Sequence, residues 1–351
     1  KKKISTIVFN TNNYKYFHRY HYKEFSREEK TELEEYISIL NKKHVPSLND
    51  IALDSLNKTL INFNALSDNL KSYLFSYYEA LANDPFGTTL TELSARYMWE
   101  MDEGMDGDEV IFPYGYTQII DVISEGLNIQ LDTEISKIDY TKDTVEVIDK
   151  FNNRYYAPKV ILSVPLGVLK KNRIKFSPSL PDSTQHAIDA IGFGSFNKVF
   201  VEFENPLDIN NDCLLCFDTN FSFNVFNVSK LYKKPTLLVT LGGLVSQRLN
   251  NEEQSENILN TINKFLHMLS PNNQFKIISI THWDDEPFSL GAYSFPAVEH
   301  EEEYCITLQN GVDNKLFFIG NIARTLLWGQ CMAPTLQVWN VPKRSRVKAY
   351  V

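Results

Sequence analysis

Long apolar runs, cysteines and nucleotide-binding glycine strings are all scarce in this chain, and each shortage excludes something. No apolar run is long enough to cross a bilayer as a helix, and KKKISTIVFN at the start lacks a signal-peptide h-region, so no membrane partner is expected. Four cysteines in 351 residues are too few for a disulfide scaffold. Cys213 and Cys216 form a lone C-x-x-C with no second pair and no nearby histidine, so zinc lacks ligands and no metal is expected. The pair reads as two small residues in a strand, in a reducing, cytoplasmic compartment. No G-x-G-x-x-G follows a strand, and no Walker A, H-E-x-x-H or G-x-S-x-G string occurs. Gly192 and Gly194 precede a strand rather than a helix, which suits a tight helix-to-strand turn and not a pyrophosphate cradle. A net charge of −9 argues against nucleic acid, whose phosphates need a basic footprint.

The remainder is ordinary globular composition, 43% hydrophobic and 23% charged, long enough for one large or two moderate domains. Residues 1–103 read as mostly helical. Ser26 and Glu29 make a capping box ahead of Leu33, Tyr36, Ile37 and Leu40 at helical spacing. A second amphipathic stretch runs from about Leu66 to Ala82, and a third begins near Thr89. After Gly104 a short apolar strand and a Pro-Tyr-Gly turn lead into a helix around Gln118 to Glu125. Three strand-like runs follow, NIQLDTEISKIDY, TVEVID and RYYAPKVILSV, separated by turn signals at Thr141 to Asp143 and at Asn152-Asn153. The apolar VILSV suits a strand covered on both faces. From Ile174 to about Ala297 strands (NKVFVEF, CLLCF, TLLVTL, FKIISI) mix with helices, clearest in NEEQSENILNTINKFLHML, and a buried KLFFIG comes after.

Two strings could carry chemistry. On NKVFVEF, Asn197, Val199, Val201 and Phe203 share one face, while Lys198 lies on the other with Phe200 and Glu202. In THWDDEPFSLGAYSF, Trp283 and Tyr293 lie on either side of Gly291. Taken alone, a strand lysine is ordinarily solvated and a tryptophan ordinarily core. In their order along the chain, however, G-F-G-x-x-N-K-V, this aromatic string and GDEVIFPYGYTQIIDVISEGLNIQLDTEISKIDY resemble the flavin-dependent amine oxidases, over about Phe86 to Gly320.

That resemblance implies a fold and a site. The fold is α/β with mixed α+β character, a partial FAD/NAD(P)-binding Rossmann-like flavin domain interleaved with a substrate domain of mixed sheet and helices. Residues 1–103 and 171–310 would form the substrate domain, and residues 104–170 and 311–351 the flavin domain. Ile135 would meet the adenine of FAD through its backbone, and Ser163, Val164 and Pro165 would pass its nucleotide half. Gly320 and Asn321 would lie near the ribityl chain, where the family has Gly-Glu. Lys198 would hold a water against flavin N5, and Trp283 and Tyr293 would wall the flavin and the substrate. The implied reaction is oxidative deamination of a polyamine-like amine with O2, giving an imine or aldehyde and hydrogen peroxide. No tower-like insertion of a chromatin demethylase is recognisable.

The chain also departs from the family pattern. It starts with Lys, after the expected glycine fingerprint, so a missing N-terminal flavin-binding segment is an expected partner and FAD retention should be poor. Beyond Gly329 the pattern stops. Back-translated from the third base of the Gln330 codon, the tail permits Val-His-Gly-Ala-Tyr-x-Ser-Gly, the family's string, so a frameshift is the expectation there and a divergent tail the alternative. The rival for function is a cofactor-free remnant, acting as a pseudoenzyme, an interaction module or a partial gene product.

Overall fold

The computed structural model describes residues 4–8, 14–18, 22–43, 50–61, 66–99, 110–218, 221–299 and 302–320. Among these the chain folds as mixed α/β around three apolar cores. The largest sheet has six strands in the order Phe275–Ile280, Phe196–Phe203, Thr236–Gly242, Phe223–Asn227, Cys213–Cys216 and Tyr14–Phe17. All neighbours are antiparallel except the last pair.

Strict alternation in the sequence decides which side of this sheet each residue serves. On Phe196–Phe203 every second residue is buried, and these are Asn197, Val199, Val201 and Phe203 as the pattern requires. Val199, Val201, Val225, Leu237 and Val239 pack against Ile258, Ile262, Phe265 and Leu266 of the helix Glu252–Leu269. The side chain of Asn251 caps that helix by accepting from the Gln254 N–H. The opposite face receives the helix Asp68–Phe86, opened by Ser67 and closed by Gly87 at φ +62°. Helix Arg27–Lys43 packs beside it through Leu33, Ile37 and Leu40. Its capping box is formed in both directions, Ser26 N–H to Glu29 at 2.8 Å and Glu29 N–H to Ser26 Oγ at 3.2 Å.

A second body of structure surrounds the remaining core. Strands Arg154–Ala157, Val145–Asp149, Ile135–Asp139 and Lys175–Ser177 form a four-stranded sheet. Val160–Leu162 pairs separately, and in parallel, with Leu316–Phe318. Helices Leu166–Lys170, Asp182–Ala190 and Glu302–Asn310 complete this layer, whose core joins residues 138–191 to 305–318.

Several elements differ from the sequence expectation for local reasons. RYYAPKVILSV is two strands in two sheets, because Pro158 has no N–H to continue a ladder. NIQLDTEISKIDY becomes strand only at Ile135, after Asp132 takes φ +56°. The helix expected from Thr89 is confined to Ala95–Trp99, because Leu93 and Ser94 spend their backbone on bridges to Ala297 and Ile51. The Pro-Leu-Gly turn is the start of a helix, Leu166–Lys170. In VILSV only Val160–Leu162 is strand, and Val160 and Ile161 are half-buried rather than covered. The helix Thr117–Ile123 buries none of its residues among those described. Cys213 and Cys216 form no disulfide and are buried in one strand, three positions apart and therefore on opposite faces.

Phe265 is the densest aromatic contact of the third core, edge-on to Phe17, Tyr22 and Phe223 at 5.2, 5.5 and 5.6 Å. Phe265→Ala should lower stability by about 3–5 kcal/mol, read as a drop in the urea midpoint with unchanged slope.

Candidate active site

Lys198 sits half-buried on the face turned toward the helix Asp68–Phe86. Its Nζ lies 5.9 Å from the centre of the Phe196 ring, within cation–π reach. Strand register places Thr240 opposite Lys198 and Asn224 opposite Thr240. A row of polar side chains therefore crosses three strands beneath the end of the helix.

Asp84, in the last turn of that helix, lies over this row. It shares a small cleft with Asn83, Asn224, Thr240 and Gly242. Burial raises its carboxyl to about 6, and the nearby polar Thr240 and Asn224 and the positive charge of Lys198 offset this only in part. The helix C-terminus adds a further unfavourable partial charge. The Tyr293 hydroxyl donates to the backbone carbonyl of Asp84, and its ring lies 5.8 Å from that of Phe196. Burial, then the charge of Asp84, pushes the Tyr293 phenol well above its usual range.

The sequence expectation overlooked the residue that joins the two strings. Asn197 is fully buried, and its Nδ2 donates to Ser246 Oγ at 2.9 Å and to Asp284 at 3.1 Å. Its Oδ1 accepts from the Trp283 N–H at 2.9 Å and the Thr281 hydroxyl at 3.1 Å. Ser195 Oγ lies 2.7 Å from both Ser246 Oγ and Asp284 Oδ2. Backbone bonds continue the seam, with Gly194 N–H to Tyr293 O and Ala292 N–H to Gly194 O, each 2.8 Å. The loop thus holds Tyr293 inward, while Trp283 is 45% exposed. The signal for Asn197 was present, since it was an amide on an otherwise apolar strand face. For Asp84 the signal was a carboxylate at the wrong end of a helix.

The other expected residues gather at the carboxyl ends of the parallel pair. Ile319 N–H donates to Leu162 O at 2.9 Å, after which Ser163, Val164 and Pro165 leave on one side and Gly320 on the other. Ser163 and Pro165 are exposed, and Val164 and Ile135 pack on the same core. Gly320 takes φ +96°, and among the described residues a Cβ there would meet nothing within 4 Å. Asn321 and the tail beyond it lie outside the described residues. The two halves of the site meet at Phe193, whose ring is so close to both Gly167 and Gly291 that a Cβ on either would lie 2.8 or 2.4 Å from it.

A model of the family described as flavin-containing amine oxidoreductase matches residues 22–333. The chain belongs to that family. Among its relatives, Lysine-specific histone demethylase 1 homolog 2 of Arabidopsis thaliana is 30% identical over 77% of this chain and 38% of its own length. Lysine-specific histone demethylase 1 homolog 3, from the same plant, is 30% identical over 63% of this chain and 15% of its own length. Probable polyamine oxidase 4, also from Arabidopsis thaliana, is 29% identical over 63% of this chain and 45% of its own length. The chain therefore spans less than half the length of each of these relatives.

The residues at this edge are chemically compatible with the cofactor of this flavin-containing family. Parallel strands bind ligands beyond their carboxyl ends, and here that edge carries an open, positive-φ glycine beside the exposed Ser163 turn. Among the described residues no helix is long and apolar enough to cross a membrane.

Two outcomes test this geometry. Asn197→Ala should cost about 2–4 kcal/mol, since it removes the four hydrogen bonds of a buried amide at once, and should speed hydrogen exchange at the Trp283 amide. Asp84 contributes an unusual slope to stability. Its folded proton is held more tightly than its unfolded one, so its contribution is full below about pH 4 and lost as pH rises to about 6. Asp84→Asn should remove that decline, seen by comparing urea midpoints of the two proteins at pH 4.5 and pH 7.

Proposed function

We propose that the chain contributes the substrate side of a flavin-dependent oxidation of an amine, with a linear polyamine-like compound as substrate. The observation that carries it is the convergence of Lys198, Phe196 and Tyr293 at the junction of the two strings. Bound flavin supplies a two-electron acceptor for the carbon beside the amine nitrogen. Ser163, Val164, Pro165 and Gly320, with Ile135 behind them, would hold the nucleotide half, and Asn321 and Trp283 would complete the flavin surround.

In this proposal the aromatic faces of Phe196 and Tyr293 attract the cationic end of an amine and keep bulk water from the C–H bond to be broken. The Lys198 nitrogen orients one water. That water adds to the imine left by loss of two electrons and two protons, and an aldehyde and a shorter amine result. Dioxygen takes up the two electrons and two protons as hydrogen peroxide. Relatives named as polyamine oxidases support the substrate class, and relatives named as histone demethylases make a methylated lysine side chain the comparison substrate.

Flavin bands that remain with the chain through gel filtration after mixing with FAD, even at low occupancy, would support this reading. A colourless protein, in both free and mixed samples, would favour the cofactor-free remnant. In the flavin-loaded protein, Lys198→Met should slow anaerobic bleaching of the flavin by spermine-like amines at least tenfold, and unchanged kinetics would refute the role of Lys198.

A further inference from the structure

We propose that the cleft beneath the end of the helix Asp68–Phe86 is a binding site for one buried water molecule, held between Asn83, Thr240 and Asp84. Two of these side chains reach the cleft with an oxygen in need of a partner. Asn83 Oδ1 and Thr240 Oγ1 are both shielded from solvent, and among the described residues neither makes a hydrogen bond. Both residues are more than nine-tenths buried, at 8% and 6% exposure. Shielded polar atoms in folded proteins nearly always have a partner, and where side chains do not supply one an ordered water does.

The size and walls of the cleft select the ligand. It leaves about 10 Å³, close to the roughly 10–15 Å³ that one water requires and too little for an organic molecule. No side chain can fill this space from Gly242 or Gly243. A Cβ at Gly242 would lie 2.0 Å from the Asn83 carbonyl oxygen, and one at Gly243 would lie 2.9 Å from Asn83 Oδ1. Ala80 and Phe223 also line the cleft, and neither side chain offers a polar atom.

The polar groups ask for a ligand that both donates and accepts. Asn83 Oδ1 can only accept, whereas the Thr240 hydroxyl can donate. A water that donates to Asn83 Oδ1 and to the Asp84 carboxylate, and accepts from Thr240, makes the three bonds usual for a buried water. A hard metal cation takes about six to eight oxygens instead, more than three side chains around so small a space supply.

The site joins two elements. Asn83 and Asp84 belong to the last turn of the helix, whereas Thr240 stands on the strand Thr236–Gly242, directly opposite Lys198. One water bonded to both ties the helix end to the sheet at the register of Lys198. It thereby steadies the turn whose Asp84 carbonyl receives the Tyr293 hydroxyl. This water is separate from the one assigned to the Lys198 nitrogen, and it requires no flavin.

A crystal structure of the whole chain tests the site directly. The expected result is one density peak within hydrogen-bond distance of both Asn83 Oδ1 and Thr240 Oγ1. No peak there, or an Asn83 amide turned so that its NH2 bonds Thr240 without an intermediary, overturns the proposal. An anomalous peak at the same place after soaking in rubidium chloride identifies a cation and overturns it equally. In solution, water-oxygen magnetic relaxation dispersion counts long-lived internal waters. Ala80→Ser places a hydroxyl at the cleft and should lower that count by one, and an unchanged count in a variant with a native circular dichroism spectrum overturns the site. Should that variant fail to fold, Thr240→Val replaces it, keeping the shape and removing one partner. The residence time of the water should then fall about tenfold, as expected for loss of one hydrogen bond, and an unaltered dispersion profile overturns the proposal.

Discussion

The close seating of one helix end on one sheet governs most of this structure. The last turn of Asp68–Phe86 meets the six-stranded sheet backbone to backbone, with the Asn83 carbonyl against Gly242 and the Phe86 carbonyl against Gly194. No side chain larger than hydrogen fits at either glycine, so the contact is set by chain geometry and not by adjustable packing. Everything polar nearby follows from it. Asp84 is forced over the Thr240 and Asn224 row, Gly87 turns the chain back toward Ser195, and Tyr293 can reach the Asp84 carbonyl.

The second seam, centred on Asn197, works differently. It uses directional bonds to hold the loop 281–293 on the sheet, through one amide that serves as both donor and acceptor. An apolar residue of similar size would fill the space, take the acceptor from the Trp283 N–H and leave Asp284 and Ser246 to Ser195. The loop's position therefore depends on satisfaction of polar groups, and its inward residue, Tyr293, depends on the loop.

Period-2 and period-3.6 patterns made much of the fold legible. The strand of Lys198, the helix Glu252–Leu269 and the Ser26–Glu29 box all stand as their residues imply. Pattern failed where the backbone is already committed elsewhere, as at Leu93 and Ser94, or where one proline divides an apparently continuous run, as at Pro158. Lys198 and Tyr293 could be singled out because they lie in recognisable strings. Asp84 could not, since its partners are 140 residues and more away in Asn224 and Thr240, and only the folded sheet brings them together.

A buried carboxylate is an expensive choice for a helix end that a neutral side chain could occupy. Raising its carboxyl from 3.8 to about 6 corresponds to roughly 3 kcal/mol of opposition to ionisation at neutral pH. Its polar neighbours reduce this cost but do not cancel it. Stability alone therefore does not account for Asp84. Its carboxylate lies over the row of Thr240 and Asn224, and the same row continues to Lys198, whose backbone is held on both sides by Thr281 and whose ammonium lies over an aromatic ring.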